Sequence, residues 1–231
     1  MAFRFKQFAL RDERCAQKVG TDGVLIGAWA DVDAVRSVLD VGAGCGLVSL
    51  MIAQRTRNAQ ITAVEKDSEA SEDCRLNFKV SPWSDRLELV NADFKAVEGL
   101  FDLIISNPPF FCGDLAAKGD ARMLARQGIS LNYFTLIEFA SQHLTADGRL
   151  AFTSDMRHEK DIVFTAAVNR LWPRRICRVS GKEGRAPIRL LWEFCRNETE
   201  SIKNEELAHR TSEGSYHPNY IELTHDFYVN L

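Results

Sequence analysis

No run of apolar residues approaches the roughly 18 needed to span a bilayer, and the first residues interleave Phe3, Phe5 and Phe8 with charges instead of building the apolar block of a secretory signal. A cytoplasmic protein is expected. The six cysteines, at 15, 45, 74, 112, 177 and 195, contain no C-x-x-C pair and no histidine at zinc-finger spacing, which argues for reduced, buried or half-buried thiols and against a metal site. No internal repeat and no low-complexity stretch occurs. An excess of one charge is also missing: 29 Lys+Arg against 32 Asp+Glu leave a net charge of -3, so a nucleic-acid partner would have to be held by a local patch. What remains is an ordinary soluble composition, 45% hydrophobic in 231 residues, enough for one large domain with at most a small appendage.

From Ser37 onward short apolar runs alternate with helical spacing. Strands are predicted at 37–41, 60–64, 87–90, 101–106 and 149–154, and helices at 45–57, 68–80, 132–144 and 158–171. In the second helix Ala70, Cys74 and Phe78 share a face that only Asn77 interrupts. Such alternation requires right-handed crossovers and a mostly parallel sheet covered on both sides, an α/β fold. Two further runs, 175–180 and 188–195, flank a short turn-rich link and predict an antiparallel hairpin at one edge, for seven strands in all. We divide the chain into an N-terminal segment, 1–36, a central domain, 37–196, and a polar tail, 197–231, whose Tyr216, Tyr220, Phe227 and Tyr228 dock it back.

Asp40-Val41-Gly42-Ala43-Gly44-Cys45-Gly46 lies where the first strand hands over to a helix, the edge at which open α/β sheets bind ligands. Glycines permit a sharp turn and close backbone approach. A dinucleotide fingerprint would need glycine at 47, where Leu47 stands, which disfavours a nicotinamide oxidoreductase. The carboxylate of Asp40 suits a cationic group, such as the ammonium or sulfonium of S-adenosylmethionine; the other reading is a purely structural turn. Glu65 ends the next strand, where an acid can accept both hydroxyls of a ribose, unless it is merely a solvated strand end. Asp93 and Phe94, past the third strand, offer a carboxylate to an exocyclic amine and an aromatic face to an adenine.

Asn107-Pro108-Pro109-Phe110 follows the fourth strand. Two prolines remove two backbone donors and leave carbonyl acceptors, to which Asn107 adds a side-chain carbonyl, so the turn can take both hydrogens of an –NH2 group. Holding them out of plane favours attack by an amine whose lone pair is otherwise delocalised, with Phe110 stacking on the planar group and Phe111 lining its approach. The alternative is a rigid turn that closes a strand.

Asp40-x-Gly-x-Gly-x-Gly46 together with Asn107-Pro-Pro-Phe110 resembles the class I, S-adenosylmethionine-dependent N-methyltransferases, which have a Rossmann-like fold. Phe5-Lys6-Gln7-Phe8, the block Lys18-Val19-Gly20-Thr21-Asp22-Gly23-Val24-Leu25-Ile26-Gly27-Ala28-Trp29, Ser81-Pro82-Trp83 and Tyr220-Ile-Glu-Leu-Thr-x-Asp-Phe-Tyr228 narrow the resemblance to the bacterial tRNA(Val) adenine-37 N6-methyltransferases. That family has Thr at 43 or 45 and Tyr at 110; Ala43, Cys45 and Phe110 depart from it, and Phe110 loses only a hydroxyl. The resemblance implies methylation of N6 of adenine 37 in a tRNA, with Thr21 and Asp22 against the methionine end of the cofactor and Lys18 on its carboxylate. Thr21 or Asp22 as a helix N-cap is the competing reading. Other acceptors stay open, namely a protein glutamine, DNA adenine or another RNA, as does a non-catalytic nucleoside-binding module. A monomer or weak dimer is expected, with no membrane partner.

Between residues 170 and 189 seven basic residues, among them Arg174, Arg175, Arg178, Lys182 and Arg185, face the single acid Glu183, a net +6 that could hold RNA phosphates or merely protect a sheet edge. Lys118, Arg122 and Arg126 form a second basic group beside the target base, and Lys6, with Arg4 and Phe8, a third.

Overall fold

The computed structural model describes residues 2–109, 131–198 and 201–230. Strands β1 (Phe3–Arg4) and β2 (Ala9–Leu10) form a small antiparallel hairpin, followed by α1 (Thr21–Trp29). The alternating part then runs β3 (Ser37–Val41), α2 (Leu47–Arg55), β4 (Gln60–Glu65), α3 (Ser68–Val80), β5 (Leu87–Asn91), β6 (Phe101–Ser106), α4 (Tyr133–His143), β7 (Leu144–Asp155) and α5 (Glu159–Val168). The chain closes with β8 (Trp172–Ser180), β9 (Arg189–Cys195), β10 (Lys203–Ala208) and α6 (Pro218–Thr224).

All seven expected strands join one sheet, in the order β10-β8-β9-β7-β6-β3-β4-β5. Parallel pairing prevails; β9 alone runs antiparallel to its neighbours β7 and β8. The hairpin β8–β9 therefore exists, but it is not the edge. An eighth strand from the tail, β10, pairs parallel to β8 and covers it. Lys203-Asn204-Glu205-Glu206 reads as polar chain, and the strand is held by contacts that no local period announces: Leu207 packs among Val179 and Tyr220, and Glu205 accepts from the Trp29 indole N–H at 2.6 Å.

Apolar side chains fill both faces. Leu136, Ile137 and Ile162 of α4 and α5 lie against Ile104, Phe152 and Trp192, while α1, α2 and α6 cover the other face. Seven consecutive residues of α1, Gly23 to Trp29, are buried. Asn77, the polar interruption on α3, is buried and satisfied: its amide donates to the Cys45 and Arg11 carbonyls at 2.9 and 2.8 Å, and its Oδ1 accepts from Arg11 N–H at 2.8 Å. It staples the N-terminal segment to the glycine turn. Helix α2 starts at Leu47, two residues later than expected, because Gly46 is its N-cap at φ +84°. Among the described residues no helix is long and apolar enough to cross a membrane.

Candidate active site

Three strand ends and one turn build the site. After β3 the chain bends through Gly42, Gly44 and Gly46, all at positive φ. A Cβ on Gly46 would stand 2.5 Å from the Phe78 ring, so the turn is pressed onto α3. A Cβ on Gly44 would meet nothing within 4 Å, because this residue opens onto a cavity. The Gly44 N–H donates to Glu65 Oε2 at 2.8 Å, and Asp67 N–H donates to Oε1 at the same length. An ionised carboxylate has about four acceptor positions, so Glu65, fixed by two of them, keeps capacity for a ligand in the cavity it lines.

That cavity measures about 570 Å³ and is lined by Gly42, Gly44, Glu65, Asp93, Phe94 and Asn107, among others. The volume is that of a small-molecule site. Burial raises the Asp93 carboxyl, but hydrogen bonds from Lys95 N–H and Lys66 Nζ, with both positive charges, outweigh it and hold the group below its ordinary value. Phe94 is less open than expected: its ring is buried edge-to-face on Phe139, 5.2 Å between centroids. Asn107, just past β6, accepts from the Thr153 hydroxyl at 2.6 Å through Oδ1. Pro108 is buried and Pro109 is exposed on the cavity wall. A groove of about 1220 Å³ between α1, β8, β10 and α6 is larger, yet it has neither the glycine turn nor a carboxylate at the ligand edge of the parallel strands.

Other expected site residues fall elsewhere. Asp40 faces a small recess of about 60 Å³, but its Oδ2 accepts from Ser49 N–H at 3.0 Å and Ser49 Oγ at 2.6 Å. It thus satisfies an orphan amide in the first turn of α2, whose N-cap glycine has no side chain. Burial pushes its pKa up to about 6, against the Ser49 hydrogen bonds. Lys18 lines the same recess while its Nζ donates to the carbonyls of Asp12 and Glu13, bracing the preceding loop. Neither Thr21 nor Asp22 is an N-cap: Gly20 holds that position, and Asp22 pairs with Arg189 at 3.2 Å.

The basic patch is largely neutralised in space. Arg174 meets Asp31 and Glu193, Arg175 meets Glu193 and Glu205, and Arg178 meets Glu159, acids that arrive from other elements. Lys182 and Arg185 stand exposed on the β8–β9 turn. Lys6 donates to the His225 carbonyl and ties the N-terminal hairpin to the tail. Phe110, Phe111, Lys118, Arg122 and Arg126 lie outside the described residues. No motif marks Thr153 or Ser49: Thr153 meets Asn107 from 46 residues away, and Ser49, nine residues after Asp40, reads as an ordinary serine in the first turn of a helix.

Fold and cleft together define a class I methyltransferase, whose methyl donor is S-adenosyl-L-methionine, and residues 24–169 match the family model of the methyltransferase small domain. The chain belongs to the family of tRNA1(Val) (adenine(37)-N6)-methyltransferases: it is 39% identical to the one from Flavobacterium johnsoniae, covering 99% of this chain and 100% of that one. Against the Tolumonas auensis relative of the same name it is 37% identical, over 100% of this chain and 98% of the other. Among solved structures, a predicted O-methyltransferase from Agrobacterium tumefaciens aligns with a TM-score of 0.68 at 21% identity, over 89% of this chain and 96% of that one, a likeness of fold.

Proposed function

We propose that this protein methylates the exocyclic N6 amine of adenine 37 in the anticodon loop of tRNA1(Val), acting in the cytoplasm as a monomer or weak dimer. The observation that carries the reading is one cleft in which a nucleoside-shaped slot, walled by Glu65, Asp93 and Phe94, reaches Asn107 and Pro109. The residues fit the cofactor: Glu65 has acceptor positions for ribose hydroxyls, and Gly44 leaves the wall without a Cβ. When bound, S-adenosyl-L-methionine supplies an electrophilic methyl carried on a sulfonium.

The protein's own part is placement. Asn107 Oδ1 and the Pro108 carbonyl accept the two amine hydrogens and turn the nitrogen lone pair out of the ring's conjugation. As the amine gains positive charge these acceptors bind it more strongly, which lowers the barrier without a strong base. The adenine must leave its stack to reach them, as bases in single-stranded loops can. We assign this chemistry to residues 37–196, with 1–36 and 197–231 folded over that domain.

Transfer of labelled methyl from S-adenosyl-L-methionine to total tRNA from a strain lacking the gene, followed by nucleoside analysis, tests the reading. N6-methyladenosine confined to a valine tRNA is the expected product. Label in protein or DNA with none in tRNA would overturn the acceptor and retain the chemistry; cofactor binding without transfer would overturn both.

A further inference from the structure

Asn107 serves as an acceptor only if its carboxamide presents oxygen, and not its NH2 group, to the amine. The final torsion of an asparagine is broad and roughly two-fold, so nothing in the residue itself decides this. A flipped amide would set donor against donor.

The decision is made on the neighbouring strand. The parallel pairing of β6 with β7 ends at Ser106 opposite Phe152, and the residues that follow are Asn107, just past β6, and Thr153, still within β7. Thr153 is fully buried, and its Oγ1 lies 2.6 Å from Asn107 Oδ1. That length suits O–H···O and is short for an N–H···O contact, so the hydroxyl donates and the carboxamide oxygen accepts. On the other side Asn107 Nδ2 would be 3.5 Å from a Cβ on Gly23 of α1, which places the nitrogen toward that helix. The carboxamide is bracketed by Thr153 at its oxygen and by α1 at its nitrogen. A hydroxyl on a fully buried strand position, paired across the sheet with the buried Leu191, is costly unless it is bonded, so the arrangement is also the one that satisfies Thr153.

We propose that Thr153 is a positioning residue for methyl transfer: its hydroxyl locks the Asn107 carboxamide with Oδ1 as acceptor, leaving the second lone pair of that oxygen for the substrate amine. This rests on the reading of Asn107 as an acceptor. The contribution is one of orientation, since a carbonyl oxygen that already accepts one hydrogen bond gains no strength toward a second.

The experiment compares Thr153→Val, Thr153→Ser and Asn107→Ala in the full-length protein, measuring kcat and KM with the tRNA substrate, calorimetric affinity for S-adenosyl-L-methionine, and Tm. Thr153→Val is expected to lower kcat about tenfold or more, as misplacement of a reacting group does, with tRNA KM and cofactor affinity held within about twofold. Thr153→Ser, which keeps the hydroxyl, should recover most of the rate. In the Asn107→Ala background Thr153→Val should cost nothing further, because the two act as one unit. A normal kcat in Thr153→Val would overturn the proposal. So would equal impairment of the Val and Ser variants, or a rate loss that follows cofactor affinity and Tm. If Asn107→Ala itself turns over normally, the acceptor reading of Asn107 fails and this inference with it, an outcome separate from any behaviour of Thr153.

Discussion

Asp40 shows how one buried carboxylate serves the fold while standing at the rim of the site. Its pKa rises from 3.8 to about 6 on burial, so between those values the folded protein binds more protons than the unfolded chain, and stability falls as pH rises through that window. The interval corresponds to ~3 kcal/mol. Asp40→Asn removes the titration. Chemical denaturation of both proteins at pH 4 and pH 7 should show the wild type losing about 2 kcal/mol relative to the variant, the rest of the interval lying below pH 4, and parallel profiles would contradict the buried, Ser49-bonded carboxylate. Asn107 and Glu65 should separate instead by kinetics. Asn107→Ala is expected to lower kcat on the order of 10²-fold at unchanged cofactor affinity. Glu65→Ala removes an acceptor with two backbone partners, and should weaken cofactor binding by ~2 kcal/mol. Calorimetry and single-turnover rates distinguish the two, and matching losses in both variants would refute the division of roles.

At the scale of elements, the glycine turn makes two demands that one substitution each can tell apart. Gly46→Ala forces a Cβ into the Phe78 ring at φ +84°, so it should destabilise the fold by about 2 kcal/mol or more and lower Tm. Gly44→Ala has open space at φ +54°, and its methyl projects toward the cavity. Its main expected effect is weaker cofactor binding at a smaller loss of Tm, and thermal scans with and without cofactor would show whether the two effects separate. Such elements were legible because strand-end chemistry and period coincide: β3, β6 and α3 occupy the residues that spacing predicts, and Asn132 caps α4 through a full capping box. Gly42, Gly44, Glu65, Asp93 and Asn107 meet at one cavity because each ends a parallel strand or follows one on the ligand edge. Legibility ended where contacts cross elements. The polar stretch Lys203–Ala208 becomes a strand through its partner β8, and Thr153 matters through Asn107, 46 residues earlier.

Across the whole molecule the same limit governs charge. A net +6 counted along residues 170–189 is not a positive field in space once Asp22, Asp31, Asp155, Glu159, Glu193 and Glu205 are folded against it. Arg175 illustrates the exchange: it is only 16% exposed, stacks 4.2 Å over the Trp29 ring, and faces Glu193, which is fully buried and whose pKa burial raises. Removing it strands a buried carboxylate with Arg174, at 3.7 Å, as its remaining arginine. Arg175→Ala should therefore cost about 3 kcal/mol of stability and leave the salt dependence of RNA binding unchanged. Lys182 and Arg185, exposed on the β8–β9 turn, carry the opposite expectation. Their joint replacement by alanine should leave Tm alone and flatten the logarithmic salt slope by ~0.7 for each RNA phosphate that the protein no longer neutralises. Binding titrations across a range of salt concentrations decide between them: a slope altered by Arg175→Ala and not by the turn variant would return the phosphates to the ion-paired strand, and an unaltered slope in both would move them off this edge of the sheet.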